Sequence, residues 1–186
     1  MGSPKALLEY QGEAFLNRLI RVLGAVCDPV IPVLGYHANV IRAEAIRAQA
    51  IGGAQFVVNP DPDRGQLSSL QTGLAAVPGG VEGFLFTPVD SPAIQENTLQ
   101  QLVAGFRNRK PETRFVIPRY EGQRGHPVFA ASSLLAEFLA LPLTAQAKDI
   151  VHAYVPRTEY LDVNDPGILA DIDDRKAYEQ LLEKAP

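Results

Sequence analysis

The residue best placed to do chemistry is Asp90, which ends the stretch Phe84–Pro92, Phe-Leu-Phe-Thr-Pro-Val-Asp-Ser-Pro. The apolar run is typical of a buried strand, and Pro92 biases Ser91 away from helical geometry. We therefore expect Asp90 at the carboxyl end of this strand, the edge where open α/β sheets bind ligands. A carboxylate there can hold Mg²⁺ against nucleotide phosphates, because Mg²⁺ prefers carboxylate and phosphate oxygens. The alternative role for Asp90 is to cap the next helix.

Two further carboxylates, Asp171 and Asp173, stand close together in Asn164-Asp-Pro-Gly-Ile-Leu-Ala-Asp-Ile-Asp-Asp. They are two residues apart, so in an extended chain their side chains point the same way. Together with Asp90 they would complete a Mg²⁺ site. The alternative is that Asp173 or Asp174 caps the last helix.

A polar turn, Asn59-Pro-Asp-Pro-Asp-Arg-Gly-Gln-Leu-Ser-Ser-Leu, joins a predicted strand to a helix through Gly65. Ser68 and Ser69 follow at the predicted helix start. Free backbone N–H groups and the helix dipole suit such a turn to an anion or the edge of a base. Alternatively, Ser68 is only the N-cap of the helix.

Basic residues occur in two places where an anionic ligand would need them. Arg124 and His126 lie in the loop Gly122-Gln-Arg-Gly-His-Pro and could meet an acidic ligand, although a lone loop histidine is more often solvated or capping. Lys5 lies near a helix start, where a cation is unfavourable for the dipole unless it serves an anion.

The elements that must position these residues alternate between strands and helices. This alternation indicates βαβ units and a mostly parallel sheet covered on both faces, an α/β fold. Two strands flanking the polar loop indicate one antiparallel insertion. Without a linker or repeat, we expect one domain over residues 1–186. The predicted strands are 30–34, 54–58, 84–89, 115–118, 128–131 and 159–163, and the predicted helices are about 13–26, 39–50, 68–77, 97–106, 134–141, 145–154 and 173–184.

The amino-acid composition limits the classes of protein to which this chain can belong. The 186 residues are 46% hydrophobic and 20% charged, as in soluble globular proteins. A net charge of −4 gives no support for nucleic-acid binding. The single cysteine, Cys27, excludes an internal disulfide and a cysteine-rich metal site, and is best interpreted as a buried structural thiol. No apolar run approaches the roughly 20 residues of a membrane span, and the start has no signal-peptide pattern, so we expect a cytoplasmic protein.

The motifs, taken in chain order, resemble those of the MobA-like nucleotidyltransferases, most closely the molybdenum cofactor cytidylyltransferase (MocA-like) group. The resemblance spans nearly the whole chain and implies a three-layer α/β sandwich of the nucleotide-diphospho-sugar transferase type, which is Rossmann-like. The motifs are Gly-Ser-Pro-Lys-Ala-Leu-Leu, Asn-Pro-x₄-Gly-Gln-Leu-Ser-Ser-Leu, Thr-Pro-Val-Asp-Ser-Pro, Gly-x-x-Gly-His-Pro and Asp-Pro-Gly-Ile-Leu-x-Asp-Ile-Asp.

The resemblance also implies a function and a set of site residues. NMP would be transferred from an NTP, expected to be CTP, to a phosphorylated acceptor such as molybdopterin, with release of pyrophosphate. Asp90 would bind Mg²⁺ with Asp171 or Asp173, Lys5 would contact phosphate, and Arg124 and His126 would lie on the acceptor side. The residues expected to bind the nucleotide are Lys5, Asn59, Gly65, Ser68, Ser69 and Leu70. The alternatives are a guanylyltransferase of the same fold and a nucleotide-binding module without catalysis.

The sequence departs from the family pattern at its start. The family begins with a strand and a glycine-rich loop, Leu-Ala-Ala-Gly-x-x-x-Arg-Met-Gly, and this sequence starts at the Met-Gly of that loop. We therefore expect the strand and most of the loop to be missing, through either a start that lies upstream or a genuine truncation. An absent central strand would leave an apolar gap with unpaired edges, which invite self-association. A second departure is Ala177, where the family often has an acidic residue.

Overall fold

A computed structural model describes residues 3–48, 52–142 and 144–183. Met1, Gly2 and the ends of two predicted helices, at 49–50 and 184, lie outside the described residues. The strands are β1 (Glu9–Tyr10), β2 (Glu13–Ala14), β3 (Val33–Leu34), β4 (Val57–Val58), β5 (Gly83–Phe86), β6 (Phe115–Tyr120), β7 (Gln123–Arg124), β8 (Val128–Ala131) and β9 (Thr158–Asp162). The α-helices are α1 (Phe15–Gly24), α2 (Ala38–Arg47), α3 (Gln66–Ala75), α4 (Glu96–Arg107), α5 (Leu135–Ala140), α6 (Ala147–Ala153) and α7 (Arg175–Glu183).

The larger sheet contains β5, β8, β6, β7 and β9. β6 pairs in parallel with β9, and β8 lies antiparallel between β5 and β6. Strands β5, β6 and β9 therefore run in one direction. β8 is an antiparallel insertion, as the sequence predicted, and β7 is a second antiparallel strand that forms a short hairpin with the end of β6.

A second, parallel pair is formed by β3 and β4, each only two residues long. The sequence predicted five-residue strands here. Backbone bonds do continue the pairing, since Gln55 N–H donates to Val30 O at 2.8 Å and Asn59 N–H donates to Leu34 O at 2.8 Å. Pro32 interrupts the regular strand because it has no N–H to donate.

Apolar side chains cover both faces of the larger sheet, which gives three layers. On one face Phe84 and Phe115 pack edge-to-face against Phe138 of α5, with ring centroids 5.8 and 6.3 Å apart. On the other face Phe106 of α4 stacks on Phe129 of β8 at 3.7 Å. The three-layer α/β fold is thus confirmed.

The chain start differs from the sequence prediction of a helix over about 13–26. Glu13 and Ala14 instead pair with β1, and α1 begins at Phe15. Gln11 and Gly12 turn the chain with φ of 53° and 77°, so the two short strands close a hairpin before the helix. α1 then buries one face between α4 and β3, as its apolar spacing predicted.

A large open groove of about 1770 Å³ lies between β3 and β5. In the described part of the chain, no backbone pairing joins β3 or β4 to β5. Leu34, at the end of β3, and Val89, just after β5, pack in the same apolar cluster, so the carboxyl ends of both strands face the same side. Most of the surface that lines the groove is apolar. Its walls include Leu16, Leu19, Ile20 and Leu23 of α1 and Leu67, Leu70 and Leu74 of α3.

Two expectations from composition can be compared with the structure. None of the helices in the described ranges combines the length and the apolar character needed to cross a bilayer. Cys27 is half-buried beside the groove, and burial raises the pKa of its thiol to about 11, which suits an unreactive structural thiol.

Self-association through the groove leads to the first prediction. The protein should associate in a concentration-dependent way, because the unpaired edges and the apolar walls favour pairing with a second copy. Leu85→Lys places a charge in the groove that association would have to desolvate, so the dissociation constant should rise by about tenfold or more. Sedimentation velocity over a concentration series measures the change.

The matched control is Leu182→Lys, on the exposed surface of α7 away from the groove, which should associate like the wild type. A wild-type protein that stays monomeric at about 100 μM, well above the micromolar range of specific pairs, would contradict the prediction.

Candidate active site

Three carboxylates from two distant segments meet at one point. Asp90, Asp171 and Asp173 each offer an oxygen, and these atoms all lie within 4.8 Å of one another. Asp90 follows β5 through the turn Thr87-Pro88-Val89, and its side chain is only 12% exposed. Asp171 and Asp173 lie between the 3₁₀ helix Pro166–Leu169 and α7.

The geometry of Ile172 explains why its two neighbours face the same way. Its side chain is buried, and its N–H donates to the carbonyl oxygen of Asp90 at 3.1 Å. Asp171 and Asp173 therefore both turn toward Asp90. Burial, reinforced by the charges of Asp90 and Asp173, raises the pKa of Asp171. The cluster is an environment that favours a cation.

Lys5 supplies the nearest positive charge. Its Nζ donates to Asp173 Oδ1 at 2.6 Å and to Asp90 Oδ2 at 3.2 Å. The residue begins the 3₁₀ helix Lys5–Leu7, which the buried side chain of Ala6 anchors against α1 and β3. Burial opposes the charge on Lys5, but the hydrogen bonds to Asp173 and Asp90 outweigh it and raise the pKa of the amine. Lys5 therefore stays protonated, as an ammonium group beside the carboxylates.

Arg124 and His126 line the same cleft as the carboxylates. The cleft has a volume of about 410 Å³. Arg124 is exposed, and its guanidinium carbon lies 6.0 Å from the ring centroid of Tyr160. His126 Nδ1 is buried and has no hydrogen-bond partner among the described residues. Burial lowers the pKa of His126, with the charge of Asp90 opposing it, so the imidazole tends toward its neutral form near pH 7.

Of the residues expected to bind the nucleotide in the polar turn after β4, Gly65, Ser69 and Leu70 line the groove and none lines the cleft. Asn59 is buried behind the turn, where its Nδ2 donates to Ser68 Oγ at 2.8 Å and to Ser69 Oγ at 3.0 Å. The side chains of Asn59 and Ser68 thus hold the turn in shape. Gly65, Ser69 and Leu70 line the groove, and Leu70 also packs against the apolar cluster around Phe84.

The alternative role for Ser68, as N-cap of the helix, is wrong. α3 begins at Gln66, two residues earlier, and Gly65 precedes it with φ of +82°. That left-handed conformation suits glycine, which has no Cβ to clash. The Ser68 hydroxyl instead donates back to Gly65 O at 2.8 Å. Gln66, which the sequence did not single out, lines both the groove and the cleft.

Sequence reasoning also missed Asp165. This side chain is 1% exposed and accepts hydrogen bonds from three groups on two segments: Gln95 N–H, Thr98 Oγ1 and Gly167 N–H. Its place in the Asp-Pro-Gly turn was a usable signal, since Asp often bonds the backbone two residues ahead. The bonds to α4 could not be read from the sequence, because they span the fold.

Comparison with known proteins identifies the family. The family model described as MobA-like NTP transferase domain matches residues 1–158. The chain belongs to this family. A similar curated protein is the probable molybdenum cofactor guanylyltransferase of Bacillus cytotoxicus, 26% identical over 125 residues. The match covers 66% of this chain and 57% of that relative's length.

Solved structures agree with the MobA-like assignment of the fold. Rv0371c from Mycobacterium tuberculosis H37Rv matches with a TM-score of 0.83 and 29% identity, over 98% of this chain and 90% of that chain. A structure of Rv0371C in complex with manganese matches with a TM-score of 0.80 and 27% identity, over 97% and 92% of the two chains.

The contacts of Lys5 generate the second prediction. Lys5→Met should tighten the binding of Mn²⁺ to this MobA-like chain in the absence of nucleotide, because the ammonium group competes with a divalent cation for Asp90 and Asp173. Removing one nearby charge should lower the dissociation constant by about tenfold. Isothermal titration calorimetry gives this constant directly.

Lys110→Met is the matched control. Lys110 is exposed and precedes the amino end of β6, so its loss should leave Mn²⁺ binding unchanged. Equal affinities for Lys5→Met and the wild type would show that the ammonium does not compete for the carboxylates.

Proposed function

We propose that this chain is a metal-dependent nucleotidyltransferase that moves NMP from an NTP to a phosphorylated small-molecule acceptor. One observation carries the proposal: three carboxylate oxygens lie within 4.8 Å of one another, at a cleft that also contains basic residues. An acceptor oxygen would attack the α-phosphorus in line. The bond from the α-phosphorus to the bridging oxygen would break, and pyrophosphate would leave. No covalent enzyme intermediate is needed.

The donor atoms fit a divalent cation. Mg²⁺ and Mn²⁺ both take carboxylate oxygens, and the set contains no sulfur ligand that would favour a softer metal. Asp90, Asp171 and Asp173 would hold the ion, which would neutralise negative charge that develops on the phosphates. The manganese complex of Rv0371C supports a divalent metal in a similar fold. Mg²⁺ is our proposal for the physiological ion.

The chain's own residues would supply positioning and charge. Lys5 can turn from the carboxylates to the phosphates, since its side chain is 31% exposed. Arg124 would bind the phosphate of the acceptor, with its guanidinium at the open side of the cleft. His126 in its neutral form could accept or donate one hydrogen bond to the same acceptor.

The nucleotide is proposed to lie along the groove side of Asp90. Gly65, Ser69 and Leu70 line that wall, and the space beside Gly65 is open where a Cβ would stand. A base or ribose could therefore approach the backbone closely. Asn59 and Ser68 would act indirectly, by holding the turn.

Two nucleotide substrates are proposed, CTP and GTP, which differ in the base. The MocA-like motifs favour CTP, with molybdopterin as the acceptor. The similarity to a probable molybdenum cofactor guanylyltransferase favours GTP about equally, with the same class of acceptor. Cytoplasmic localisation stays a prediction from the sequence.

Titration of the protein with CTP, GTP and ATP in Mg²⁺, followed by measurement of pyrophosphate release with molybdopterin, tests the proposal. Release with CTP supports the cytidylyltransferase, and release with GTP supports the guanylyltransferase. Nucleotide binding without pyrophosphate release would identify a binding module, and no binding of any NTP would overturn the proposal.

Replacing a cluster carboxylate gives the third prediction. Asp90→Asn should reduce pyrophosphate release by at least about a hundredfold, because a metal carboxylate contributes several kcal/mol of charge stabilisation. The fold should survive, since Asp90 lies at a cleft rather than in an apolar cluster. A coupled pyrophosphate assay and circular dichroism check the two parts.

Asp174→Asn is the control for this experiment. Asp174 Oδ1 accepts the N–H of Ala177 at 2.8 Å, and Asp174 is not part of the carboxylate cluster. Its replacement should cost at most about 1 kcal/mol of stability through weaker capping and leave turnover near the wild-type rate. If Asp174→Asn lost as much activity as Asp90→Asn, the proposed metal ligands would be wrong.

A further inference from the structure

We propose that Asp165 is a positioning residue that sets the spacing between Asp90 and the pair Asp171 and Asp173. Through that spacing it controls the affinity of the site for a divalent cation. The inference rests on the proposed function, because it takes the three carboxylates to be metal ligands.

Both oxygens of the Asp165 side chain accept hydrogen bonds. Oδ2 accepts from the Thr98 hydroxyl at 2.7 Å and from Gln95 N–H at 3.0 Å, while Oδ1 accepts from Gly167 N–H at 2.8 Å. The side chain is 1% exposed and has no ion-pair partner among the described residues. Three hydrogen bonds to a buried carboxylate fix its position closely.

These bonds connect the two segments that carry the metal ligands. Gln95 and Thr98 lie at the start of α4, a few residues after Asp90. Gly167 lies in the 3₁₀ helix that leads to Asp171. One carboxylate therefore ties the Asp90 segment to the segment of the other two ligands.

Close packing of the backbone fixes the distance between the segment that carries Asp90 and the segment that carries Asp171 and Asp173. A Cβ added at Gly167 would lie 2.2 Å from the carbonyl oxygen of Ala93, so the two backbones are already in contact. On the other side of the turn, a Cβ at Gly125 would lie 2.2 Å from the carbonyl oxygen of Ile168. His126 N–H also donates to Ile168 O at 2.9 Å. The Pro166–Leu169 turn is thus wedged between the Asp90 segment and the Arg124–His126 loop.

An amide at position 165 would disturb this arrangement without a change of size. The Asn Nδ2 group is a donor, so it would face at least one of the three donors that now meet an oxygen. The Pro166–Leu169 turn would have to shift to separate the Nδ2 group from that donor. Mg²⁺ demands near-ideal ligand geometry, and outer residues that orient metal ligands typically change metal affinity by about 10–100-fold.

The test measures Mn²⁺ binding by calorimetry for the wild type, Asp165→Asn, Thr98→Val and Thr98→Ser. We expect Asp165→Asn to raise the dissociation constant by about tenfold or more, and Thr98→Val to raise it by a smaller factor. Thr98→Ser keeps the hydroxyl and should restore the wild-type constant. All measurements are made well below each variant's melting temperature.

A matched variant separates positioning from loss of stability. Leu134→Ala creates a cavity under the larger sheet, away from the cleft, and should lower the melting temperature while leaving the Mn²⁺ constant unchanged. If Asp165→Asn also leaves the Mn²⁺ constant unchanged, Asp165 only stabilises the fold and the inference is overturned.

Asp90→Asn distinguishes failure of this inference from failure of the proposed function. A wild-type Mn²⁺ constant in Asp90→Asn would overturn the metal site, and this inference with it. Weaker binding in Asp90→Asn but not in Asp165→Asn would overturn this inference alone.

Discussion

Mutual repulsion among Asp90, Asp171 and Asp173 is the constraint on which the arrangement of this site depends. Like charges about 4 Å apart near a protein surface repel by up to about 4 kcal/mol per pair. The repulsion here is smaller, because the Asp173 side chain is 75% exposed and water screens it. In an unfolded chain the segments that carry Asp90 and the other two carboxylates would be far apart, so this repulsion between them would be absent. The fold must therefore hold the carboxylates together through other contacts and place a cation beside them. The ammonium group of Lys5 is such a cation.

The holding contacts are made by backbone and by buried side chains, rather than by the carboxylates themselves. Asp90 follows a strand of the larger sheet, so the sheet fixes one of the three carboxylates. The other two lie on a loop, which Ile172 anchors by its buried side chain and by its bond to Asp90 O. Asp165 adds the connection to α4. A site built partly on a loop gains precision only when such contacts restrict the loop.

Local patterns predicted the parts of this structure that depend on local chemistry. Asp171 and Asp173 face the same way, as extended-chain geometry predicted. Asp90 follows β5, but the strand ends at Phe86 instead of the predicted Val89, and a turn of three residues leads to Asp90. The start of α3 was misplaced because Gly65, not a serine, occupies the position before the helix, which begins at Gln66. The bonds of Asp165 to α4 were not predicted, because they join segments about seventy residues apart. Family resemblance gave Lys5 a role, but not its contacts with the carboxylates.

The groove and the cleft meet at Asp90, which lines both, and this gives the proposed reaction a direction. Gln66, Arg124 and His126 also line both spaces. An in-line displacement needs the attacking and leaving oxygens on opposite sides of the α-phosphorus. If the nucleotide lies along the groove and the acceptor enters from the Arg124 side of the cleft, the α-phosphorus must pass near their junction. The carboxylate cluster lies at that junction, so a cation bound there would act where the negative charge of the proposed transition state develops. The three carboxylates lie on two segments, one beside each space, so a metal held by them would reach both proposed substrates.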